Sequence, residues 1–150
     1  MMKLARPILI STLLSTAITL GACSGDSPGE RASATLPEDF WLNATTQTVQ
    51  MQDNRFYPSV LQLTSAQPTR LILVNNGDRP HAFAAPQFFQ AIRIGHLRDA
   101  DGMIERPEAI EQIRLQPDET LEFYFVPETP GRYQLSGNGS EGTIVVGTRW

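Results

Sequence analysis

The chain has 150 residues, with 12 Lys and Arg against 16 Asp and Glu, and a formal net charge of −4. That acid excess argues against a nucleic-acid partner, which needs a basic face to neutralise phosphates. A single cysteine, Cys23, excludes an intramolecular disulfide, a CxxC redox pair and a zinc-thiolate cluster.

Lys3 and Arg6 precede an uncharged, largely apolar run from Pro7 to Leu20, which ends in Leu20-Gly21-Ala22-Cys23. The run is short for a membrane-spanning helix, and it has the layout of a secretory h-region followed by small residues. Leu20-Gly21-Ala22-Cys23 resembles the lipobox of bacterial lipoproteins. The resemblance implies removal of residues 1–22 and lipidation of Cys23 as the new first residue. The plainer alternative is an ordinary cleaved signal peptide with an incidental thiol. At about 0.8 kcal/mol per buried CH₂, two or three acyl chains hold a protein stably on a membrane. Ser24, standing where an aspartate would signal inner-membrane retention, points to the outer membrane. The expected location is therefore periplasmic, lipid-anchored to the cell envelope. Loss of Lys3 and Arg6 from the twelve bases, and of no acid, leaves ten arginines against sixteen acids, so the net charge moves from −4 to −6. With no basic patch beside the membrane, anchoring rests on lipid alone.

Residues 23–38, rich in Ser, Gly, Pro and charge, read as a flexible tether. Residues 39–150 then suffice for one small domain with one core. Thr45 to Gln52 alternates, with Val49 and Met51 on one face, as a half-buried strand does. Val60 to Leu63 reads as a second strand. Thr69 to Asn75 is apolar on both faces and belongs in the middle of a sheet. Asn76-Gly77-Asp78 turns the chain, and Pro80 and Phe83 fix the placing of His81 between them. Gln87 to Ile94 is expected to form a short helix with Pro86 in its first turn. His96 to Arg106 is polar, with an exposed turn at Asp99-Ala100-Asp101-Gly102. Ile104, Ile110, Ile113 and Leu115 line either an extended or a helical cover. Thr120 to Val126 alternates strongly, and Arg132 to Ser136 pairs with Thr143 to Thr148 around a glycine-rich turn from Gly137 to Gly142. About seven short strands without long amphipathic helices predict an all-β fold, an antiparallel sandwich or Greek-key barrel.

In order, Phe56-x-Pro58-x-x-Leu61, Asn75-x-Gly77-x-x-x-His81-x-Phe83, Ala85-Pro86-x-Phe88-Phe89, and Leu121-x-Phe123-x-Phe125-Val126-Pro127 leading to Pro130-Gly131-x-Tyr133-x-Leu135 resemble the cupredoxins. These are copper-binding β-sandwich proteins, here closest to the plastocyanin-like and azurin-like members, and the resemblance runs from Val49 to Val146. It implies a cupredoxin-like Greek-key β-sandwich with a short helix after the His81 loop. In that family copper sits between two histidines and a cysteine thiolate, with a weak axial methionine. His81 falls on the first histidine. The cysteine belongs four residues after the tyrosine, where this chain has Gly137, and the loop that supplies the second histidine and the methionine is missing. The resemblance therefore implies a member without a type 1 (blue) copper centre.

His81 is the leading metal-ligand candidate, with His96, Met103 and nearby carboxylates such as Glu141 as partners. Two imidazoles with a carboxylate or water suit Cu(II), and two with Met103 suit Cu(I). Against this, a lone histidine is usually structural, His96 reads as solvent-exposed and Met103 as a surface loop residue. Met51 reads as core. The carboxylate pairs Glu119/Glu122, Asp99/Asp101 and Glu108/Glu111 lack a nucleophile, phosphate loop or metal triad beside them, so they read as solvated surface and the chain as no enzyme. One ring of Phe88-Phe89 is expected on the core and the other in an apolar surface around His81. Sequence alone favours weak copper handling at His81, His96 and Met103. The alternative is a metal-free scaffold that docks an envelope protein. Replacing Cys23 by alanine is expected to move the protein from the membrane to the soluble fraction of fractionated cells; a Cys23→Ala chain that stays with the membrane contradicts the lipid anchor.

Overall fold

A computed structural model describes residues 36–148. The expected signal segment 1–22, Cys23 and most of the tether lie outside the described residues. Leu36, assigned to the tether from sequence, packs with Phe40 against Trp41, Tyr124 and Val126. A 3₁₀ helix over Glu38–Asn43 carries that tryptophan.

Eleven strands follow: β1 (Thr45–Gln52), β2 (Arg55–Tyr57), β3 (Val60–Thr64), β4 (Thr69–Asn75), β5 (His81–Ala84), β6 (Ile92–Asp99), β7 (Ile104–Glu105), β8 (Gln112–Leu115), β9 (Thr120–Pro127), β10 (Gly131–Gly137) and β11 (Ser140–Gly147). One short helix, α1 (Pro86–Phe89), sits between β5 and β6. Seven of these strands have five residues or more; six of them lie where apolar alternation places strands and the seventh, β6, does not, while the four shorter ones carry too few residues to show a period.

The strands form two sheets, ordered β2-β1-β4-β9-β6-β7 and β3-β11-β10-β5-β8. Both are mixed, which corrects the expectation of a purely antiparallel sandwich: β1 runs parallel to β4, and β3 parallel to β11. β4 lies in the interior of its sheet, as its two apolar faces require. Phe56, Phe83, Phe88, Phe123, Phe125 and Leu135 fill the space between the sheets. At about 25 cal/mol per Å² of apolar area removed from water, burial of this layer with the aliphatic residues around it stabilises the sandwich.

Three segments differ from their sequence reading. The helix expected over Gln87–Ile94 stops at Phe89, because Ile92 starts β6. The segment from His96, read as an exposed polar stretch, continues β6 to Asp99 beside β9, with an irregularity between Ile94 and His96. Gly95 sits at that bulge, and a Cβ there would lie 2.3 Å from the Trp41 ring, so glycine is what lets the tryptophan seat on the outer face. The glycine-rich turn from Gly137 to Gly142 is shorter than expected. Gly137 pairs directly with Ser140, leaving Asn138 and Gly139 as a two-residue turn, both with positive φ.

Asn75, at the end of β4, ties the two sheets together. The two N–H groups of its fully buried side-chain amide are shared among the carbonyls of Arg79 at 2.8 Å, Gln116 at 3.0 Å and Leu115 at 3.2 Å, and its Oδ1 accepts from the Gly77 N–H at 3.0 Å. Its backbone N–H donates to the Glu119 carbonyl and its carbonyl accepts from the Asp118 N–H, both at 2.9 Å. Asn75→Ala keeps the backbone bonds but strips the carbonyls of Arg79, Leu115 and Gln116 of this donor and the Gly77 N–H of its acceptor, and is expected to lower the free energy of unfolding by about 2 to 3 kcal/mol. Urea unfolding of the two proteins checks this; a loss below about 0.5 kcal/mol would contradict it.

Candidate functional site

His81 opens β5 immediately after the loop that Asn75 shapes. It is 5% exposed. Its Nδ1 lies 3.2 Å from the Ala82 carbonyl and its Nε2 3.0 Å from the Ser140 hydroxyl. A carbonyl only accepts, so Nδ1 donates to Ala82, and Nε2 accepts the hydroxyl proton of Ser140. The Phe56 ring meets the imidazole edge to face at 5.4 Å. Both ring nitrogens are therefore engaged within the protein.

The Asn138-Gly139 turn closes this end. The Asn138 side-chain amide donates to the Pro80 carbonyl, joining the hairpin to the His81 loop. Gly137, at the position where the resemblance puts the thiolate, packs on the backbone of β5: a Cβ there would lie 1.7 Å from the Ala82 carbonyl oxygen. No side chain fits without moving main chain. Phe88 and Phe89 are both buried, so the expected apolar surface around His81 does not form. The recess at this end is polar instead, lined by Gln52, Asp53, Asn54, Asp78, Arg79 and Asn138.

His96 stands elsewhere. It lies on β6 in the other sheet, stacked on the Tyr124 ring at 4.2 Å and capped edge-on by Trp41 at 5.8 Å. At 3% exposed it is not the solvated histidine that its polar neighbours suggest, because the 3₁₀ helix covers it. Its Nε2 is buried without a hydrogen-bond partner. Tyr124 donates to Glu122 at 2.7 Å, and Glu122 pairs with Arg70. The Arg70 guanidinium, with the Tyr124 hydroxyl, holds the Glu122 carboxyl below its usual range, while burial and Glu122 raise the Tyr124 phenol. Met103 is 71% exposed beside the short strand β7. The structure thus brings none of the three candidate ligands together, and among the described residues no three His, Cys, Asp or Glu side chains cluster in a way that could hold a metal ion. The family's copper ligand set does not fit these residues: the thiolate position is closed by Ala82 and the two-residue turn carries no soft donor.

Ser140 and Ala82, which decide the chemistry of His81, were not singled out from sequence. The signal available was the Asn138-Gly139 pair, since Asn-Gly between two strands favours a two-residue turn and would have set Ser140 opposite Gly137.

Two packed mixed sheets, with a histidine loop after the strand ended by Asn75, define a β-sandwich of the cupredoxin class. The cupredoxin-like domain pattern matches residues 32–146, and the chain belongs to that family. No curated protein sequence matches it. Among solved structures, the copper-containing nitrite reductase from Thermus scotoductus SA-01 is similar with a TM-score of 0.52 and 10% identity, over 68% of this chain and 30% of that one. The copper nitrite reductase of Nitrosomonas europaea gives 0.50 and 11%, over 78% and 52%. A multicopper oxidase gives 0.50 and 14%, over 68% and 44%. The chain spans about half or less of these larger proteins, and at such identities the likeness is one of fold.

Burial holds the His96 imidazole below its ordinary pKa; Glu38 and Glu122 pull it up, and Arg98 and Arg106 push it further down. Above an ordinary histidine pKa of about 6.5 the ring is neutral folded or unfolded and contributes no pH dependence. Below it the unfolded chain takes the proton first, so stability falls until the pH reaches the lowered folded value. The Tm is therefore expected to drop between pH 7 and pH 5 more steeply for the natural protein than for His96→Phe. Parallel slopes in a thermal melt series would contradict this.

Proposed function

We propose that this chain is a lipid-anchored protein of the cell envelope, held at Cys23, whose cupredoxin-like domain is a metal-free scaffold that docks a protein partner. The observation that carries this is the approach of Gly137 to the Ala82 carbonyl, which leaves no room for a ligand side chain where the family's thiolate belongs. The hydrogen bonds from Ser140 to His81 and from Asn138 to Pro80 close the same end with protein groups. The sandwich is held there without a metal. On this reading the chain is not an enzyme, and electron transfer through a thiolate-bound copper is not its role.

Copper handling is the second reading. Membership of the cupredoxin-like family favours it, as does the presence of His81 at a ligand position in a well-formed loop. Copper would then have to take a ring nitrogen of His81 away from Ser140 or Ala82, with no second strong donor adjacent.

Titration of the detergent-solubilised protein separates the two, with Cu(II) and then with Cu(I) under reducing conditions, beside His81→Ala. The scaffold reading expects no intense blue colour and the same weak binding in both proteins. Stoichiometric binding lost in His81→Ala would establish copper handling instead.

A further inference from the structure

We propose that the groove between the open edges of the two sheets binds an extended polypeptide segment of basic and apolar residues, which pairs with the free side of β8. This rests on the scaffold reading, and it puts the docking surface along the flank of the sandwich, away from the polar recess at His81.

β8 is the last strand of its sheet and pairs only with β5. In an antiparallel pair, successive residues turn their backbone N–H and C=O alternately toward the partner and away from it. The Asn75 amide that reaches the Leu115 carbonyl also reaches the carbonyl of Arg79, two residues before β5 begins, so Leu115 and Ile113 face β5 and the outward set is that of Gln112 and Arg114. Gln112 and Arg114 accordingly turn their N–H and C=O groups to the side of β8 that no described strand occupies. Added strands use such groups for affinity and the flanking pockets for selectivity. Two of the other three edges, β2 and β7, have only three and two residues, and β3, though longer, borders a smaller recess of about 530 Å³ at Val60.

The groove has a volume of about 860 Å³, and Leu97, Ile104, Ile110 and Leu121 give it an apolar lining. Met103 and Ile104, at 71% and 39% exposed, are among the few large apolar side chains left open to solvent. Acids border the same groove at Asp99, Glu105, Glu111 and Glu119, against one base, Arg114. None of the four acids takes part in an ion pair among the described residues. The field is therefore negative over an apolar floor, and its complement is a segment with Lys or Arg beside alternate apolar side chains. Nucleic acid and anionic lipid carry the wrong charge, and a second copy of this acidic chain would be repelled.

The test uses the full chain in detergent and a fluorescent peptide of alternating lysine and valine, read by anisotropy. Three further peptides serve as probes: two methylated on one or the other alternate set of backbone nitrogens, and one with glutamate in place of lysine. The proposal expects saturable binding of the first peptide, weakened by about tenfold or more in a Glu105→Lys/Glu111→Lys protein. It expects a similar loss when the alternate set of peptide nitrogens that faces the edge is methylated, little loss when the other set is, and no binding of the acidic peptide. Glu105 and Glu111 are both exposed, and an unchanged melting temperature checks that the variant folds. Equal binding by the charge-reversed protein, or equal binding of both methylated forms, overturns the groove. Binding lost instead in Asp53→Lys/Asp78→Lys would also overturn it while leaving the scaffold reading standing. Failure of the scaffold reading shows separately, as His81-dependent stoichiometric copper in the titration above.

Discussion

The buried amide of Asn75 is the joint on which this domain depends. A single side chain satisfies carbonyls from the His81 loop and from the end of β8, and accepts the Gly77 N–H that bends the loop. β4 belongs to one sheet and β8 to the other, so the same group sets the distance between the sheets at this end. A buried polar group with every bond made specifies one arrangement, because each alternative strands a donor or an acceptor in an apolar interior. His81 lies where it does because the loop ahead of it has only one satisfied shape.

The opposite wall follows from a close backbone approach. Gly137 lies against Ala82, which brings Ser140, its partner across the turn, within hydrogen-bonding distance of the imidazole. Where relatives with the full ligand set would hold this end together through a metal, this chain uses two side-chain hydrogen bonds and an aromatic edge. Family membership and the chemistry of the site thus part company here: the fold is retained, and the ligand set is not.

Legibility in the sequence was uneven, for physical reasons that differ by element. β1, β4 and β9 carry uninterrupted alternation or two apolar faces, and their limits were close to those observed. The sandwich and the short helix after His81 followed from the order of the motifs. β6 was obscured because Gly95 interrupts its period at a bulge and because Arg93, Arg98 and Asp99 make its composition resemble a loop. The burial of His96 had no local signal at all, since its cover comes from Trp41, far earlier in the chain. At the His81 end the histidine stood out at once, but its partner did not. A serine in a run of glycines reads as turn material until the register of the hairpin is known.

The placing of Trp41 has a mechanical consequence. The described chain ahead of β1 carries a ring wedged over Gly95 and set edge-on against the stacked His96 and Tyr124. Any tension arriving from the N-terminal side meets this aromatic wedge before it reaches β1. That wedge includes His96, whose burial disfavours its protonated form, so its grip on the entering chain depends on acidity.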